Sequence, residues 1–512
     1  MWLFDVYLIL HCIYIAQGAK ILGIFPVLSK SHYTVGNVLL KELARRGHDV
    51  TMISPFEENN KPPNASYRDI KLKFEIDKEV KGLNFFSRTT SHPYLSTLFL
   101  NYIGCRIVDQ SLKQPIIQKL LNSDEKFDVV IMDQFVVDGF SYFAEHFGAH
   151  KILLAPTVAN SWVNPLVGNP APPSVVPELL MEYTSDMDFF ERLQNTIFYL
   201  FAELNRHLYF FPRQNSIIQQ NVPNAKPLSD YLYNVSLVLV NGHESFTYSA
   251  SSVPAMKNVG GFHVSATGKL PDDLKKYMDN AKEGVIFFSM GSHLQSSQFP
   301  IEIRDAILRV FSTLKVKILW KWEHEELPGK PENVKLGKWF PQQEILAHPN
   351  LKLFITHGGL LSLIEAIHHG VPLLSIPVRG DQKLNAAIAE KMGYAIKIIY
   401  DDFEENKFKN ALDELLANPV YKKNAVYRST LFHDRPMKPL DEAVYWVEYV
   451  LRHEGAKHLR VSSLKLSWYQ YILLDVSIFL LAVAGLVIYV SKLLFKKLCC
   501  NKTTRKTKIK RS

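Results

Sequence analysis

Cysteine is scarce in this sequence, with four residues among 512. Cys12 lies in an N-terminal apolar run, and Cys499 and Cys500 lie near the C-terminus, so the body of the chain keeps Cys105 alone. A lone cysteine cannot form an intramolecular disulfide, and the apolar core must therefore hold the fold together. The sequence also lacks His-Glu-x-x-His and Cys-x-x-Cys pairs, which excludes the common zinc motifs.

The body of the chain also lacks an excess of positive charge, although the formal net charge of the whole chain is +9. Nine of the 59 basic side chains fall in residues 491–512, which contain no acidic residue, and the remaining 50 match the 50 acidic ones. A nucleic-acid enzyme would carry its basic residues on a folded face. We therefore exclude nucleic acid as a partner and expect a folded globular body, in line with 47% hydrophobic residues.

Both ends of the chain carry membrane signals. Residues 1–18 are predicted to be a signal peptide, because an apolar run there ends in small residues. Residues 471–490 contain one acidic and no basic side chain, and they are long enough to cross the roughly 30 Å hydrocarbon core as a helix. The basic tail 491–512 follows directly, so the positive-inside rule places it in the cytosol and the body in the lumen. Lys508 and Lys510 match a retrieval pattern, which predicts a single-pass type I protein of the endoplasmic reticulum membrane.

Two Asn-x-Ser triplets would become glycosylation acceptors in a lumenal body. They begin at Asn64 and at Asn234. The first lies in a polar stretch, so we expect it to be the better acceptor.

The chain alternates short apolar runs with helical patterns in two separate stretches. Residues 20–55 contain a strand, a helix and a second strand, a unit that predicts parallel strands with a right-handed crossover. A second set begins near Gly284. These patterns predict an α/β fold with two Rossmann-like halves that face each other across a cleft. The predicted segments are an N-terminal domain at 19–265, a linker at 266–283, a C-terminal domain at 284–445 and a helical segment at 446–470 leading to the membrane.

The most informative stretch lies between Trp339 and Gln382. Within it, an apolar strand at Leu351–Thr356 leads into His357 and two glycines. The glycines let a helix N-terminus approach a ligand closely, and its N–H groups and dipole favour a diphosphate. His357 can donate a further hydrogen bond. The pattern therefore predicts a diphosphate-binding turn.

Other side chains in this stretch suit the rest of a nucleotide sugar. Trp339 offers a flat face for a base, and Gln342 offers amide groups for the edge of that base. Glu365, one turn into the following helix, suits the vicinal hydroxyls of a ribose. Asp381 and Gln382 follow the next strand and are placed to hold sugar hydroxyls. The candidate donor-binding residues are Trp339, Gln342, His357, Gly359, Ser362, Glu365, Asp381, Gln382 and Ser292.

The order of these residues closely resembles the signature of the UDP-glycosyltransferase family, in its microsomal, membrane-anchored animal branch. The resemblance extends over nearly the whole chain and is most like insect members. It is carried outside the donor stretch by residues 26–32, 43–51, 127–133 and 433–441. It implies a GT-B type fold of two facing Rossmann-like domains with a C-terminal transmembrane helix. The N-terminal half would bind the acceptor, and the C-terminal half would bind the UDP-sugar.

The resemblance also implies a mechanism. It places His32 on the family's catalytic base, in the loop after the first strand, and Asp133 on the carboxylate that orients this base. His32 would remove the proton from the acceptor hydroxyl, which attacks the anomeric carbon with inversion. Helix N–H groups and His357 would stabilise the departing diphosphate, so neither a metal nor a prosthetic group is needed. UDP-glucose is favoured over UDP-glucuronic acid, because of the insect-like features and Gln382.

Two positions depart from the pattern of the family. Ala250 stands where many relatives carry an arginine that is associated with the donor phosphates. Leu361 stands where vertebrate and plant relatives carry asparagine. Both changes bear on donor affinity and sugar choice.

The acceptor pocket would be built from residues 84–211. These residues are rich in Phe and Tyr, so they predict a small lipophilic acceptor. The resemblance is also compatible with a homo-oligomer.

Two alternatives stand beside this interpretation. One is a catalytically silent member that binds UDP-sugars or lipophilic molecules at the membrane, but such a protein would have lost His32 or Asp133. The other is a metal-dependent glycosyltransferase of a different fold that uses an Asp-x-Asp pair. Asp186 and Asp188 match that pattern, but they follow no predicted strand.

Overall fold

The computed structural model describes residues 18–75, 86, 92–265 and 268–509, with side chains as far as residue 498. The predicted signal peptide therefore lies outside the described residues except for Gly18, and so does Lys510 of the predicted retrieval pattern. The chain divides into two compact units, Met1–Arg460 and Val461–Ser512.

The first half of the larger unit is built on a seven-stranded sheet. Its strands are β1 Lys20–Ile24, β2 Asp49–Ser54, β3 Tyr67–Lys71, β4 Val129–Asp133, β5 His150–Ala155, β6 Leu237–Val240 and β7 Met256–Asn258. Its helices are α1 Lys30–Arg45, α2 Pro93–Leu112, α3 Pro115–Leu121, α4 Ser141–Phe147, α5 Phe189–Asn205 and α6 Phe211–Asn221. All strand pairs are parallel, in the order β3-β2-β1-β4-β5-β6-β7.

The first strand–helix–strand unit shows why the sequence folds in this way. β1 is buried along most of its length, as expected for a parallel strand that is covered on both faces. Val35, Leu39 and Leu43 lie on one face of α1 and enter the same core. Gly47 follows the helix with φ +95°, a conformation that glycine adopts without strain, so the helix ends there.

The second half repeats this plan with six strands. They are β8 Val285–Ser289, β9 Lys317–Lys321, β10 Val334–Gly337, β11 Leu351–Thr356, β12 Leu373–Ser375 and β13 Ala395–Lys397. The helices are α7 Asp272–Asp279 in the predicted linker, then α8 Ile301–Ser312, α9 Gln342–Leu346, α10 Leu360–His368, α11 Gln382–Lys391, α12 Glu405–Ala417, α13 Pro419–His433 and α14 Pro439–Arg452. These strands are also parallel, in the order β10-β9-β8-β11-β12-β13.

Each sheet reverses its strand order at one point. In the first sheet the reversal lies between β1 and β4, and in the second it lies between β8 and β11. In open parallel sheets, ligands bind outside the carboxyl ends of the strands at such a switch point. The loops that follow these four strands are therefore where a site is expected.

The end of the larger unit returns to the first half. α14 buries Val444, Val447 and Val450 in the core of the first sheet, although the sequence assigned residues up to 445 to the second half. The Lys257 ammonium lies 3.9 Å from the centre of the Trp446 ring. This crossing helix joins the two halves into one unit.

The smaller unit contains α15 Trp468–Tyr471 and the long helix α16 Leu474–Ile509. Leu473 separates them, because its φ of +57° lies in the left-handed region. The long helix therefore begins at Leu474, three residues after the start of the predicted span at 471–490. Within Leu474–Leu498, a window of 18 residues has a mean hydropathy of 2.4, and the segment is long and apolar enough to cross a membrane.

Candidate active site

His32 and Asp133 meet at the switch point of the first sheet. Asp133 is the last residue of β4, and its side chain is 1% exposed. His32 lies in the first turn of α1, not in the loop that the sequence suggested, because the helix begins at Lys30. The two side chains are 101 residues apart in the chain, yet Nδ1 of His32 lies 2.8 Å from Oδ2 of Asp133. The sheet topology therefore creates a histidine–carboxylate pair.

This contact decides which imidazole nitrogen can act as a base. When Nδ1 donates its hydrogen to the carboxylate, Nε2 keeps its lone pair. Negative charge on Asp133 would also stabilise the imidazolium that forms when Nε2 takes up a proton. Oδ1 of Asp133 is buried and has no hydrogen-bond partner among the described residues. The pair can therefore accept a proton from a neighbouring hydroxyl group.

Aromatic rings flank the histidine. The Phe135 ring meets the His32 ring edge-on at 4.8 Å between centroids. Trp162 packs against Phe135 in the same way, at 5.3 Å. Both aromatic side chains are partly exposed. They provide apolar surface beside a potential base, as a lipophilic molecule would require.

The predicted diphosphate-binding turn forms at the switch point of the second sheet. Gly358 has φ +81°, which permits the sharp turn from β11 into α10. The His357 ring fills the space beside two glycines: a Cβ on Gly291 would lie 2.6 Å from its Cε1, and a Cβ on Gly359 would meet its Nε2. No side chain caps α10, so its first N–H groups can bind an anion.

The imidazole at this turn is uncharged at neutral pH. Burial and, to a smaller extent, the nearby His293, Lys321 and Arg379 together lower the pKa of His357 to about 3. An uncharged imidazole still donates one hydrogen bond. His357 is therefore a hydrogen-bonding group and not a cation at this site.

Glu365, Gln342 and Ser362, which the sequence predicted to bind the donor, belong to one network of hydrogen bonds. Gln342 donates through Nε2 to Oε2 of Glu365 at 2.5 Å and to the Ser362 hydroxyl at 3.0 Å. Gln343, which the sequence did not single out, donates to Oε1 at 3.1 Å. Burial raises the pKa of Glu365 to about 7. Trp339 stands apart from this network with 72% of its surface exposed, so its ring is open to a ligand.

Asp381 and Gln382 lie where the loop after β12 ends and α11 begins. The side-chain oxygen of Gln382 accepts hydrogen bonds from the backbone N–H groups of Val378 and Arg379, at 3.0 and 3.1 Å, so this oxygen holds the loop itself. Oδ2 of Asp381 accepts a hydrogen bond from Asn385 at 2.9 Å. Burial raises the pKa of Asp381, while the hydrogen bond from Asn385 and the proximity of His32 lower it. Asp381 of the second half therefore lies near His32 of the first half.

Comparisons with known proteins identify the family of this chain. The family described as UDP-glucoronosyl and UDP-glucosyl transferase matches residues 19–510. The chain belongs to the UDP-glycosyltransferase family. It is similar to the UDP-glycosyltransferase UGT5 of Dactylopius coccus, 38% identical over 95% of this chain and 94% of the relative. It is also similar to the UDP-glucosyltransferase 2 of that species, 35% identical over 94% of each chain. Among solved structures, the glycotransferase of kitacinnamycin matches with a TM-score of 0.57 and 17% identity, over 85% of this chain and 99% of the other.

These matches confirm two predictions from the sequence. The UDP-glycosyltransferase has the GT-B fold, with two parallel sheets and one apolar C-terminal helix. It is an enzyme, and its family membership implies a UDP-sugar as donor and a second substrate as acceptor.

The positions that depart from the family pattern lie in different surroundings. Ala250 is exposed in a loop of the UDP-glycosyltransferase, as is Ser292 after β8. Leu361 packs against the core of the first half, and its carbonyl oxygen lies 3.3 Å from Nε2 of His263. Leu361 therefore lies at the junction of the two halves.

Three charged or titratable residues of the cleft were missed in the sequence. Lys321 is the last residue of β9, His293 follows β8 and Arg379 follows β12. Each of them lies at or just after the carboxyl end of a parallel strand, where ligands bind in such sheets. This position could have indicated them only after the strands had been assigned.

The Asp-x-Asp pair of the UDP-glycosyltransferase has structural partners. Asp188 caps α5, since its side chain accepts a hydrogen bond from the Glu191 N–H at 2.9 Å. Asp186 pairs with Lys391. Across the described residues, no group of three or more His, Cys, Asp or Glu side chains is placed to hold a metal ion.

Proposed function

We propose that this UDP-glycosyltransferase transfers a hexose, glucose from UDP-glucose, to a hydroxyl group of a small lipophilic acceptor with inversion at the anomeric carbon. His32 is the base, and Asp133 orients it. The observation that carries this proposal is the 2.8 Å contact between the two side chains, at the switch point that faces the donor half. A catalytically silent binder of the same fold would not need such a pair.

In the proposed reaction, Nε2 of His32 takes the proton of the acceptor hydroxyl. The oxygen then forms a bond to the anomeric carbon, and the bond from that carbon to the diphosphate oxygen breaks. UDP leaves with the electron pair of the broken bond. Because the oxygen attacks from the face opposite the leaving group, an α-linked donor yields a β-glycoside. Asp133 stabilises the imidazolium that forms.

The donor half supplies the leaving-group interactions in this proposal. The first N–H groups of α10 and the uncharged His357 donate hydrogen bonds to the diphosphate. Trp339 stacks on the uracil ring, and Gln342 binds its edge. Glu365 accepts hydrogen bonds from the ribose hydroxyls, and Ser362 lies beside it. Asp381 and Ser292 lie on loops, and Gln382 begins α11, at positions where the hexose and diphosphate would bind.

Two observations favour the proposed substrates. A relative at 35% identity is named a UDP-glucosyltransferase, which supports glucose over glucuronic acid. The aromatic rings of Phe135 and Trp162 beside His32 support a lipophilic acceptor.

We further propose that the enzyme resides in the endoplasmic reticulum membrane as a type I protein. Leu474–Leu498 would span the bilayer, and the basic residues after it would lie in the cytosol. The catalytic body would then face the lumen.

The test is turnover in membranes that contain the full chain. UDP-glucose, UDP-glucuronic acid and other UDP-sugars are offered separately with a panel of phenols and lipophilic alcohols, and His32→Ala serves as the matched control. We expect a β-glucoside from UDP-glucose and loss of turnover in the variant, with UDP binding intact in both. Binding of UDP without transfer from any donor would favour the silent binder.

A further inference from the structure

The outer side of α5 is apolar and exposed. A helix that is apolar on all sides is normally buried in a protein core or in a membrane. The inner side of α5 is buried through Phe198 and Ala202, yet large apolar side chains also lie on its outer side and on its helical continuation Arg206–Phe210. These exposed side chains include Phe190, Leu193, Ile197, Leu200, Leu204 and Leu208.

The spacing of these residues makes them a single stripe. They recur every three or four positions, which is the interval at which side chains share one face of a helix. At a rise of about 1.5 Å per residue, the stripe from Phe190 to Leu208 is about 27 Å long. Single exposed leucines are common on soluble proteins, but a row of this length indicates an interaction site.

Helix α2 lies beside α5 and widens this stripe. The Tyr94 ring of α2 lies 5.1 Å from the Phe198 ring and 4.9 Å from the Phe201 ring, measured between centroids. Asn101 of α2 also donates a hydrogen bond to Asn205 of α5. The helix α2 exposes apolar side chains of its own, namely Leu95, Leu98, Phe99 and Tyr102. The exposed apolar side chains of the two neighbouring helices together form what we call the apolar face.

The charged side chains around the apolar face are compatible with a lipid surface. Both carboxylates of α5 are already engaged: Glu191 accepts a hydrogen bond from a backbone N–H of the helix cap at 2.9 Å, and Glu203 pairs with Arg206 at 3.0 Å. Arg192 in the first turn of α5 and Arg213 in α6 are exposed. Leucine and phenylalanine on one face with arginine beside them are typical of a helix that lies in the membrane interface.

A bilayer is the partner that this chain keeps within reach. Residues 461–473 are all that separates the larger unit from the apolar segment Leu474–Leu498. Even when fully extended, these residues reach only about 45 Å. Contact between the apolar face and the membrane that holds the segment is therefore intramolecular, which favours it over contact with a separate molecule.

We propose that the apolar face of α5 and α2 docks into the surface of the membrane in which the chain is anchored. Its apolar side chains enter the boundary between headgroups and acyl chains to a depth of about 5–10 Å, as interfacial helices do. The arginines beside it stay at the level of the lipid phosphates. The N-terminal half thus makes a second membrane contact in addition to the spanning helix.

The test is fluorescence quenching in lipid nanodiscs that hold one copy of the full chain. Leu200→Cys carries an environment-sensitive fluorophore, and the native cysteines are replaced by serine. Val420→Cys is the matched control, because Val420 in α13 is 51% exposed and Leu200 is 53% exposed. We expect the fluorophore at position 200 to emit at shorter wavelength and to lose most of its signal to lipids that carry a spin label near the glycerol backbone. The fluorophore at position 420 should show neither change.

A charge placed on the apolar face provides a second measurement. Leu204 lies one helical turn from position 200 and is 60% exposed, so Leu204→Glu leaves the protein core untouched, which circular dichroism verifies. Burial of a carboxylate in an apolar environment is costly. Leu204→Glu should therefore restore most of the signal that the spin-labelled lipids remove at position 200.

Other outcomes overturn the docking of this face. An unshifted and unquenched fluorophore at position 200 would refute it, and equal quenching at positions 200 and 420 would show that the contact with lipid is unspecific. An emission shift that appears only when several copies share a vesicle, with energy transfer between them, would assign the face to a second copy of the chain. Release of the full chain from the nanodiscs would refute the membrane span as well. None of these measurements needs turnover, so this proposal and the proposed reaction can fail separately.

Discussion

Replacement of Asp133 by Asn tests the proposed catalytic pair directly. The amide has nearly the same shape as the carboxylate and fits the same buried position, but it carries no negative charge. Asp133 is 1% exposed, and its Oδ2 lies 2.8 Å from the His32 ring. Loss of the charge should therefore leave the fold intact and remove stabilisation from the imidazolium.

The magnitude follows from the separation of the two charges. Two unit charges about 4 Å apart interact by about 4 kcal/mol at an effective dielectric constant of about 20. Each 1.4 kcal/mol of transition-state stabilisation is about tenfold in rate. Asp133→Asn should therefore lower kcat by about a thousandfold. UDP binding should not change, because the donor-binding groups lie in the other half.

The assay is product formation by chromatography, with the UDP dissociation constant measured by calorimetry. A double-mutant cycle gives the decisive result. If Asp133 acts through His32, then Asp133→Asn should have no further effect on kcat in the His32→Ala background. Additive losses, or a single variant that keeps more than about a tenth of wild-type kcat, would refute the reasoning.

Four further results are expected. Burial raises the pKa of Glu365 to about 7, and ribose hydroxyls that donate to it favour the charged carboxylate, so binding releases a proton. UDP-glucose should therefore bind about tenfold more weakly at pH 6 than at pH 8, and Glu365→Gln should abolish this dependence; a flat calorimetric profile in the wild type would contradict the ribose contact. EDTA should leave turnover unchanged, since helix N–H groups and His357 are proposed to stabilise the leaving group, and restoration by added Mg²⁺ or Mn²⁺ after a loss would show a metal requirement. A chain that ends at Arg460 should appear in the soluble fraction after alkaline extraction while the full chain stays with membranes; retention of the short form would reveal another membrane contact. Asn64→Gln should remove a glycan on gel electrophoresis and Asn234→Gln should not, because Asn64 is exposed on a turn whereas Asn234 is bonded to Arg460 and Ser236 is buried.

Much of the architecture follows from local patterns. The strand Leu351–Thr356 and the helix after it were predicted within one residue, because a short apolar run, two glycines and an amphipathic helix each leave a clear signal. β10 and β13 were not predicted. They are short and only partly buried, so their sequences carry little periodicity.

The same distinction applies to the candidate site, where some features follow from local sequence and others depend on the fold. Residues of the donor stretch are close in sequence, and the motif itself indicated Trp339, Gln342 and Glu365. Their hydrogen-bond network, including Gln343, required the fold. His32 and Asp133 were suggested by family resemblance, and the short distance between them required the order of the strands.

The sequence alone determined the class of the protein: two stretches of alternating strands and helices, a glycine turn suited to a diphosphate, and an apolar segment before a basic tail. These are properties of neighbouring residues, so propensity and periodicity are enough to predict them. The tertiary structure decided that His32 meets Asp133 and that α14 returns to the first core. Such contacts join residues far apart in the chain, and they depend on which strands are neighbours and in what register, which no local pattern encodes.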